Sequence, residues 1–323
     1  MEDYFTILPN ILFYNKTDEA TLYQEVKNYK LLLVMDYLHM GVNRHNTTRL
    51  SIKSIVTNYG YKSDSHKGKI NEQIINMLKF LSSKDMIKGD FDIDKVAISE
   101  LIECVYNGIN KDENDNYINF TMIDYNIFNK ILYQKKEKVD NVALLFYYCY
   151  LCSRVHTRDG KYGIENGGGM PEICYPSYDT ISKDIYLSQS TINKYNQLLI
   201  SLDVIRIGNL GLYYIGDNKK FVRESPNFYT LVKQEDLKLC DEKTTSWHIN
   251  LKEGMNYYKK IHKDYTFLDT REYKDNNKKI NGYISRINQL EKQDRATKKQ
   301  IKKRDKLLNE KEDNKQYKIV DKN

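Results

Sequence analysis

The sequence predicts a mainly α-helical protein with small β-hairpins, an α+β class, on three observations. Two apolar helical periodicities run through Pro176–Ile205 with only a three-residue turn between them. Short alternating stretches bounded by glycine follow them. A fainter copy of the same order lies more than a hundred residues upstream.

Composition sets the bounds. The chain of 323 residues has room for two ordinary cores, and four prolines among them suit a helix-rich protein. The opening MEDYFTILPN is acidic, unlike a secretory signal. The longest apolar run, Val142 to Cys152, has eleven residues and three tyrosines, short of the roughly 20 that span a bilayer. The expectation is a cytoplasmic protein without a membrane partner.

From the N-terminus, Phe5-Thr6-Ile7-Leu8 precedes a short helix, and Phe120-Thr121-Met122-Ile123 precedes the segment Asp124 to Leu132 in the same manner. Each is followed by a strongly apolar helix, first Leu31 to Leu38 and later Val142 to Cys152, then a polar loop and a short second helix. Ser51 to Val56 matches Ser177 to Ser182 in placing Ser first and Ile fifth. In the third helices Ile74, Met77, Phe80 and Leu81 match Ile192, Tyr195, Leu198 and Leu199 at a constant offset. The exits correspond too, Asp85-Met86-Ile87 against Asp203-Val204-Ile205. A chance alignment of apolar helices is the alternative to a duplicated domain, and the shared entry and exit weaken it.

The first copy places Tyr59 to Gly68 between its second and third helices, with His66, Lys67 and Lys69 as candidate phosphate contacts. Its following segment, Gly89 to Asp94, carries Asp90, Asp92 and Asp94, which a strand would project from one face against phosphates. As a metal triplet these carboxylates lack supporting groups, and Asp112, Asn114 and Asn116 fit only half of a calcium loop, with Tyr117 where Gly is required. Neither is taken as a site.

The second copy carries the sharper pattern. Ser177 is an N-cap for a helix burying Ile181 and Ile185, and Ser188 caps one burying Ile192, Tyr195, Leu198, Leu199 and Leu202. Leu187 is expected to plug the space between them. Gln189, Ser190, Thr191, Asn193, Lys194 and Gln197 fall on the outer face, where a recognition helix meets base edges and phosphates, and with the capping Ser177 and Ser188 they are candidate DNA contacts. Arg206 to Ile215 then reads as two short strands about a glycine-bounded turn, a wing. An ordinary helical hairpin in a core would share the caps and spacing, though not the wing.

Before this motif, Thr157 to Tyr175 is an insertion centred on Gly167-Gly168-Gly169, with no Gly-Lys-Ser/Thr to make an ATP loop. Its basic flank is Arg154, His156, Arg158 and Lys161. Arg206 at the start of the wing and Lys219, Lys220 and Arg223 after it are candidate DNA ligands, the last three where backbone contacts are expected, ahead of a closing strand at Asn227 to Leu231. Beyond Leu237 the chain turns polar and helical, with the lone Trp247, Tyr257 and Tyr258, and a short heptad run of Ile280, Tyr283, Ile287 and Leu290.

Cysteine and charge complete the reading. Five cysteines without a secreted framework imply reduced thiols; Cys149, Cys152 and His156 share a helical face with Cys174 as a fourth candidate, but small core thiols are the commoner use of such residues. The region Asp275 to Asn323 holds fifteen Lys and Arg against eight Asp and Glu, which accounts for the whole excess of 51 over 44. Lys298, Lys299, Lys302, Lys303 and Arg304 are its densest cations and candidate phosphate ligands; a solvated helix is the alternative.

Helix, helix and hairpin in this order make a winged helix. The expected fold is therefore two tandem winged-helix domains, over 1–115 and 116–236, followed by a basic helical or partly disordered tail over 237–323. Tandem winged helices, the second with PSYDTISKDIYLSQSTINKY, ahead of a basic tail resemble the replication initiator (Rep) proteins of theta-replicating plasmids, over roughly Asp3 to Lys233. Similar single modules open primosomal loading proteins of low-GC bacteria. The resemblance implies double-stranded DNA at repeated origin sites as partner, a host replication initiator or helicase as protein partner, and no nuclease chemistry. The six histidines, at 39, 45, 66, 156, 248 and 262, never stand two apart, as a rolling-circle metal pair requires. The expectation is a binding protein, not an enzyme, with no cofactor. A winged-helix transcription regulator, with the tail as a homodimer helix, is the alternative.

Overall fold

The computed structural model describes residues 5–15, 19–114, 116–155, 171–216, 222–268, 282–291 and 296–316. The chain is of mixed α+β class and divides into two compact units. One is Met1–Ile207 with Tyr229–Asn250, and the other is Gly208–Phe228 with Leu251–Asn323. Both copies of the repeat thus lie within the first unit, up to Ile207. No helix among the described residues is long and apolar enough to cross a membrane.

In the first unit, strand β1 (Phe5–Pro9) leads through a 3-10 turn to α1 (Leu22–Val26). Thr21 and Gln24 close a reciprocal capping box at the start of α1. Then come α2 (Leu31–Met40), β2 (Thr47–Leu50), α3 (Ile52–Asn58), α4 (Ile70–Ser83), β3 (Ile87–Lys88) and β4 (Ile102–Tyr106). The three strands form one sheet in the order β2-β4-β3. The second copy runs β5 (Phe120–Asp124), α5 (Tyr125–Leu132), α6 (Asn141–Arg154), α7 (Tyr178–Ile185) and α8 (Gln189–Ser201). It then enters β6 (Ile205–Asn209), which pairs with β9 (Asn227–Leu231).

Each copy is built on one apolar helix. In α6 every residue from Val142 to Ser153 is buried, as expected of a helix that is apolar on all sides, and in α2 the buried run is Leu31 to Asp36 with Leu38. Asp140 caps α6 by accepting from Val142 N and Ala143 N at 3.0 and 3.1 Å. The entry strands β1 and β5 pair antiparallel with each other, so one hydrophobic core runs through both copies.

The exits of the third helices repeat in detail. Asp85 and Asp203 both adopt left-handed backbone, φ 58° and 53°. Behind each, the next N–H reaches back to a helix carbonyl, Met86 N to Leu81 O at 2.9 Å and Val204 N to Leu199 O at 3.2 Å. This is a Schellman closure with Asp in the position glycine usually takes.

Two expectations are corrected. Asp90, Asp92 and Asp94 do not lie on a strand, because β3 ends at Lys88 and the chain loops to β4. Asp92 accepts from Asp94 N and pairs with Lys95, while Asp94 pairs with Lys79, so local ion pairs use two of the three carboxylates that a ladder would have splayed. Nor do the stretches 206–209 and 212–215 pair with each other as a tight hairpin. β7 (Leu212–Ile215) pairs instead with β8 (Arg223–Glu224) and with β10 (Tyr265–Phe267), and the outgoing arm runs from Ile205 to Ile215 before the chain returns.

The reason lies at Leu210–Gly211. A two-residue reversal of the kind strands favour needs positive φ at its first central residue, and here only the second, Gly211, has it, at 78°. The step is a bend that faces Ser225–Pro226 on the returning arm. Leu210 N donates to Ser225 Oγ at 2.9 Å and Ser225 N to Gly211 O at 2.8 Å, while Pro226 has no N–H to continue a ladder.

In the second unit, Tyr213 stacks on Tyr265 with centroids 4.4 Å apart, and His262 stacks on the same ring at 4.4 Å. Gly208 lies against Leu251 and Met255. Helix α9 (Ser246–Ile261) carries Trp247, residues 282–291 are helical, and a C-terminal helix covers Lys298–Gln316. The glycine run 167–169, His156, Arg158 and Lys161 lie outside the described residues.

Candidate nucleic-acid interface

Helices α7 and α8 are joined by Tyr186-Leu187-Ser188 alone. Tyr186 closes α7 in left-handed backbone at φ 55°, Leu187 is buried between the helices, and Ser182 Oγ donates to Leu187 O at 2.6 Å. The turn is thus fixed by one strained residue, one apolar plug and one hydroxyl. Ser177 Oγ accepts Thr180 N at 3.0 Å and Ser188 Oγ accepts Thr191 N at 3.2 Å, so both serines serve as helix caps.

Helix α8 buries Ile192, Tyr195, Leu198 and Leu199, with Leu202 following. It also buries Asn196, whose Oδ1 accepts Tyr147 Oη–H at 2.7 Å and whose Nδ2 donates to Tyr229 Oη at 3.3 Å. That polar pin sets the rotation of α8 against α6 and β9. Gln189, Ser190, Asn193, Lys194 and Gln197 are exposed and Thr191 is half-buried.

These side chains have local partners. Gln189 Nε2 donates to Asp179 Oδ1 at 3.3 Å, Asn193 Oδ1 accepts from Tyr178 Oη, and Lys194 Nζ is 3.7 Å from Glu137. All three contacts are at the surface, where exchange for a base or phosphate costs little. The same contacts bring in groups that the sequence reading missed. Glu137, which meets Lys194, lies in the loop before α6 among Lys135, Lys136 and Lys138, all exposed. Lys136 Nζ also donates to Ser201 O at the end of α8. Their only signal in the sequence was a dense lysine cluster ahead of an apolar helix.

Arg206 is turned inward: its guanidinium binds Asp203 at 2.7 Å and lies 5.4 Å over the Trp247 ring. Arg223 is exposed on β8, opposite Tyr213. Lys219 and Lys220 lie outside the described residues. In the first copy His66, Lys67 and Lys69 are exposed in the loop before α4. Asn71 braces that loop with bonds to Ser63 and Ser65 at 3.0 and 2.9 Å. His66 Nδ1 is 2.6 Å from Asp64, and the His66 backbone N–H and ring hold the Asp64 carboxyl below its ordinary value.

In the C-terminal helix Lys298, Lys299, Lys302 and Lys303 are exposed. Lys303 lies 5.2 Å over the Tyr283 ring. Arg304 instead turns back to Asp305 at 2.7 Å and to Glu291. The cations therefore split, with Arg304 held by acids, Lys303 over a ring, and Lys298, Lys299 and Lys302 exposed.

Four of the five cysteines sit in the core, and Cys240 is exposed. Cys149, Cys152 and Cys174 are buried, and burial pushes the Cys152 thiol up to about 12 and that of Cys149 well above its ordinary value. Thiols so disfavoured as thiolates are poor metal ligands. Among the described residues no group of three His, Cys, Asp or Glu is placed to hold a metal ion. No family model matches the chain, and no curated protein matches it.

Proposed function

We propose that the protein binds double-stranded DNA sequence-specifically through two tandem winged helices and acts as a plasmid replication initiator. The observation that carries this reading is the exposed polar N-terminal half of α8, presented over a three-residue turn and followed by a long two-stranded arm. Gln and Asn at such positions match adenine edges bidentately, and the helix N-terminus favours phosphate. The first copy supports it with the order α2-α3-α4-β3, which matches α6-α7-α8-β6, and adds β2 between α2 and α3.

Two recognition-type helices on one chain suit repeated sites, since one molecule supplies what a regulator usually gains by dimerising. A host replication initiator or helicase is the protein partner that this role requires, in the cytoplasm. The role calls for no cofactor and no catalysis. Footprinting on the DNA flanking the gene tests the reading. Protection of tandem repeats is expected, a single protected palindrome would favour a transcription regulator, and no protection would overturn DNA recognition altogether.

A further inference from the structure

The last turn of a helix ends in carbonyls that no residue of its own helix can satisfy. In α7, Ser182 O receives the Tyr186 N–H at 3.0 Å. Two of the other carbonyls are taken by the first copy of the repeat. Tyr29 Oη donates to Ile185 O at 3.0 Å, and Gln24 Nε2 donates to Lys183 O at 3.3 Å. The acceptors immediately precede the turn that sets the direction of α8.

The donors are themselves held in place. Gln24 Oε1 accepts Thr21 N at 2.9 Å and Thr21 Oγ1 accepts Gln24 N at 3.1 Å, so the capping box of α1 aims the amide nitrogen outward. A Glu at this position would serve the box equally and would have no N–H for Lys183 O. Tyr29 is stacked on Tyr23 with centroids 4.9 Å apart and rings 16° from parallel. Tyr23 in turn lies 5.9 Å from Tyr186, and Lys27 Nζ lies 5.6 Å over that ring. The left-handed residue of the turn thus touches the same corner that caps the helix.

We infer that Gln24 and Tyr29 are positioning residues. The first copy caps α7 of the second in trans and so sets the angle at which α8 meets DNA. The inference rests on the reading of α8 as a recognition helix. It makes the two copies interdependent: the first shapes recognition by the second without touching the bases that α8 reads.

The test uses the full chain with Tyr29→Phe, Gln24→Glu and both together. Tyr37→Phe is the control, since it removes a hydroxyl that donates to Ser54 Oγ at 2.9 Å wholly inside the first copy. Two readouts are taken, amide hydrogen exchange over 182–192 and affinity for the DNA site that the unaltered chain protects. Faster exchange confined to 182–192 and a loss of site affinity of about fivefold or more are expected, with non-specific affinity kept. The control should move neither.

Unchanged exchange over 182–192, or a rise spread evenly over the chain, would overturn the trans cap. A local rise with unchanged site affinity and base discrimination would overturn the positioning role. An unaltered chain that binds no duplex DNA would instead sink the recognition reading, and the exchange measurement decides the cap in that case too.

Discussion

Ile7 and Met122 stand directly opposite each other in the β1–β5 pair, and they occupy the same position in the two copies of the repeat. The rest of the register follows symmetrically, from Phe5 against Asp124 to Pro9 against Phe120. A local two-fold axis therefore relates the paired strands, an isologous contact of the kind that joins identical subunits, here within one chain. Thr6, Leu8, Thr121 and Ile123 point into the core, while Phe5 and Met122 are exposed.

That register predicts a crosslink. With the exposed Cys240 replaced by Ser, Ile7→Cys combined with Met122→Cys should be joined by a short bifunctional thiol reagent. The joined chain should migrate faster on a denaturing gel. Equal mobility with and without the reagent counts against the pairing.

Base reading by α8 makes a second prediction. Gln189→Ala or Asn193→Ala should each cost about 1 to 3 kcal/mol at one base position and flatten preference there. Competition with single-base variants of the protected site measures this. Undiminished discrimination with Gln189, Ser190, Asn193 and Lys194 all replaced by Ala would remove α8 from the interface.

The buried Asn196 gives a stability prediction. Asn196→Leu keeps volume but strips Tyr147 of its acceptor and Tyr229 of a donor, at a cost of about 1 to 3 kcal/mol. A lower urea midpoint is expected, and an unshifted one argues that neither tyrosine depends on the amide.

Asp36 makes the fold sensitive to pH. It is wholly buried and receives the Tyr59 hydroxyl at 2.6 Å, and burial raises its carboxyl above the ordinary value despite that bond. A raised folded-state value means that the folded chain holds the proton more tightly. The contribution of Asp36 is thus full below the unfolded value and is lost as pH rises through the folded one. Asp36→Asn should therefore gain stability relative to the parent at pH 8 and little at pH 4. Equal differences at the two values would show that Asp36 does not titrate between them.

Removing residues 294–323 tests the tail. If the exposed Lys298, Lys299 and Lys302 each neutralise one phosphate, the salt slope of log K should flatten by about 0.9 for each, with site preference kept. An unchanged slope and affinity would assign the C-terminal helix to another role.

Much of this was legible in the sequence, because it depends on neighbours along the chain. Ser177 and Ser188 cap the helices they precede, Leu187 fills the turn, and the apolar spacing picked out the buried face of α8. The repeat was legible for the same reason, down to the Asp85 and Asp203 exits, whose left-handed backbone short polar side chains tolerate. What needed the tertiary structure were relations between distant segments. Leu210–Gly211 looked like a hairpin turn until the returning arm at Ser225–Pro226 was seen to claim its hydrogen bonds. Arg206 looked free for a phosphate, but Trp247 and Asp203 hold it. Lys136 reaches Ser201 O at the end of α8, Glu137 meets Lys194 on its flank, and Tyr29 reaches Ile185 O, only because the chain folds back on itself. Local hydrogen bonds and periodicity are written in consecutive residues; which surface two separated segments share is settled by packing of the common core.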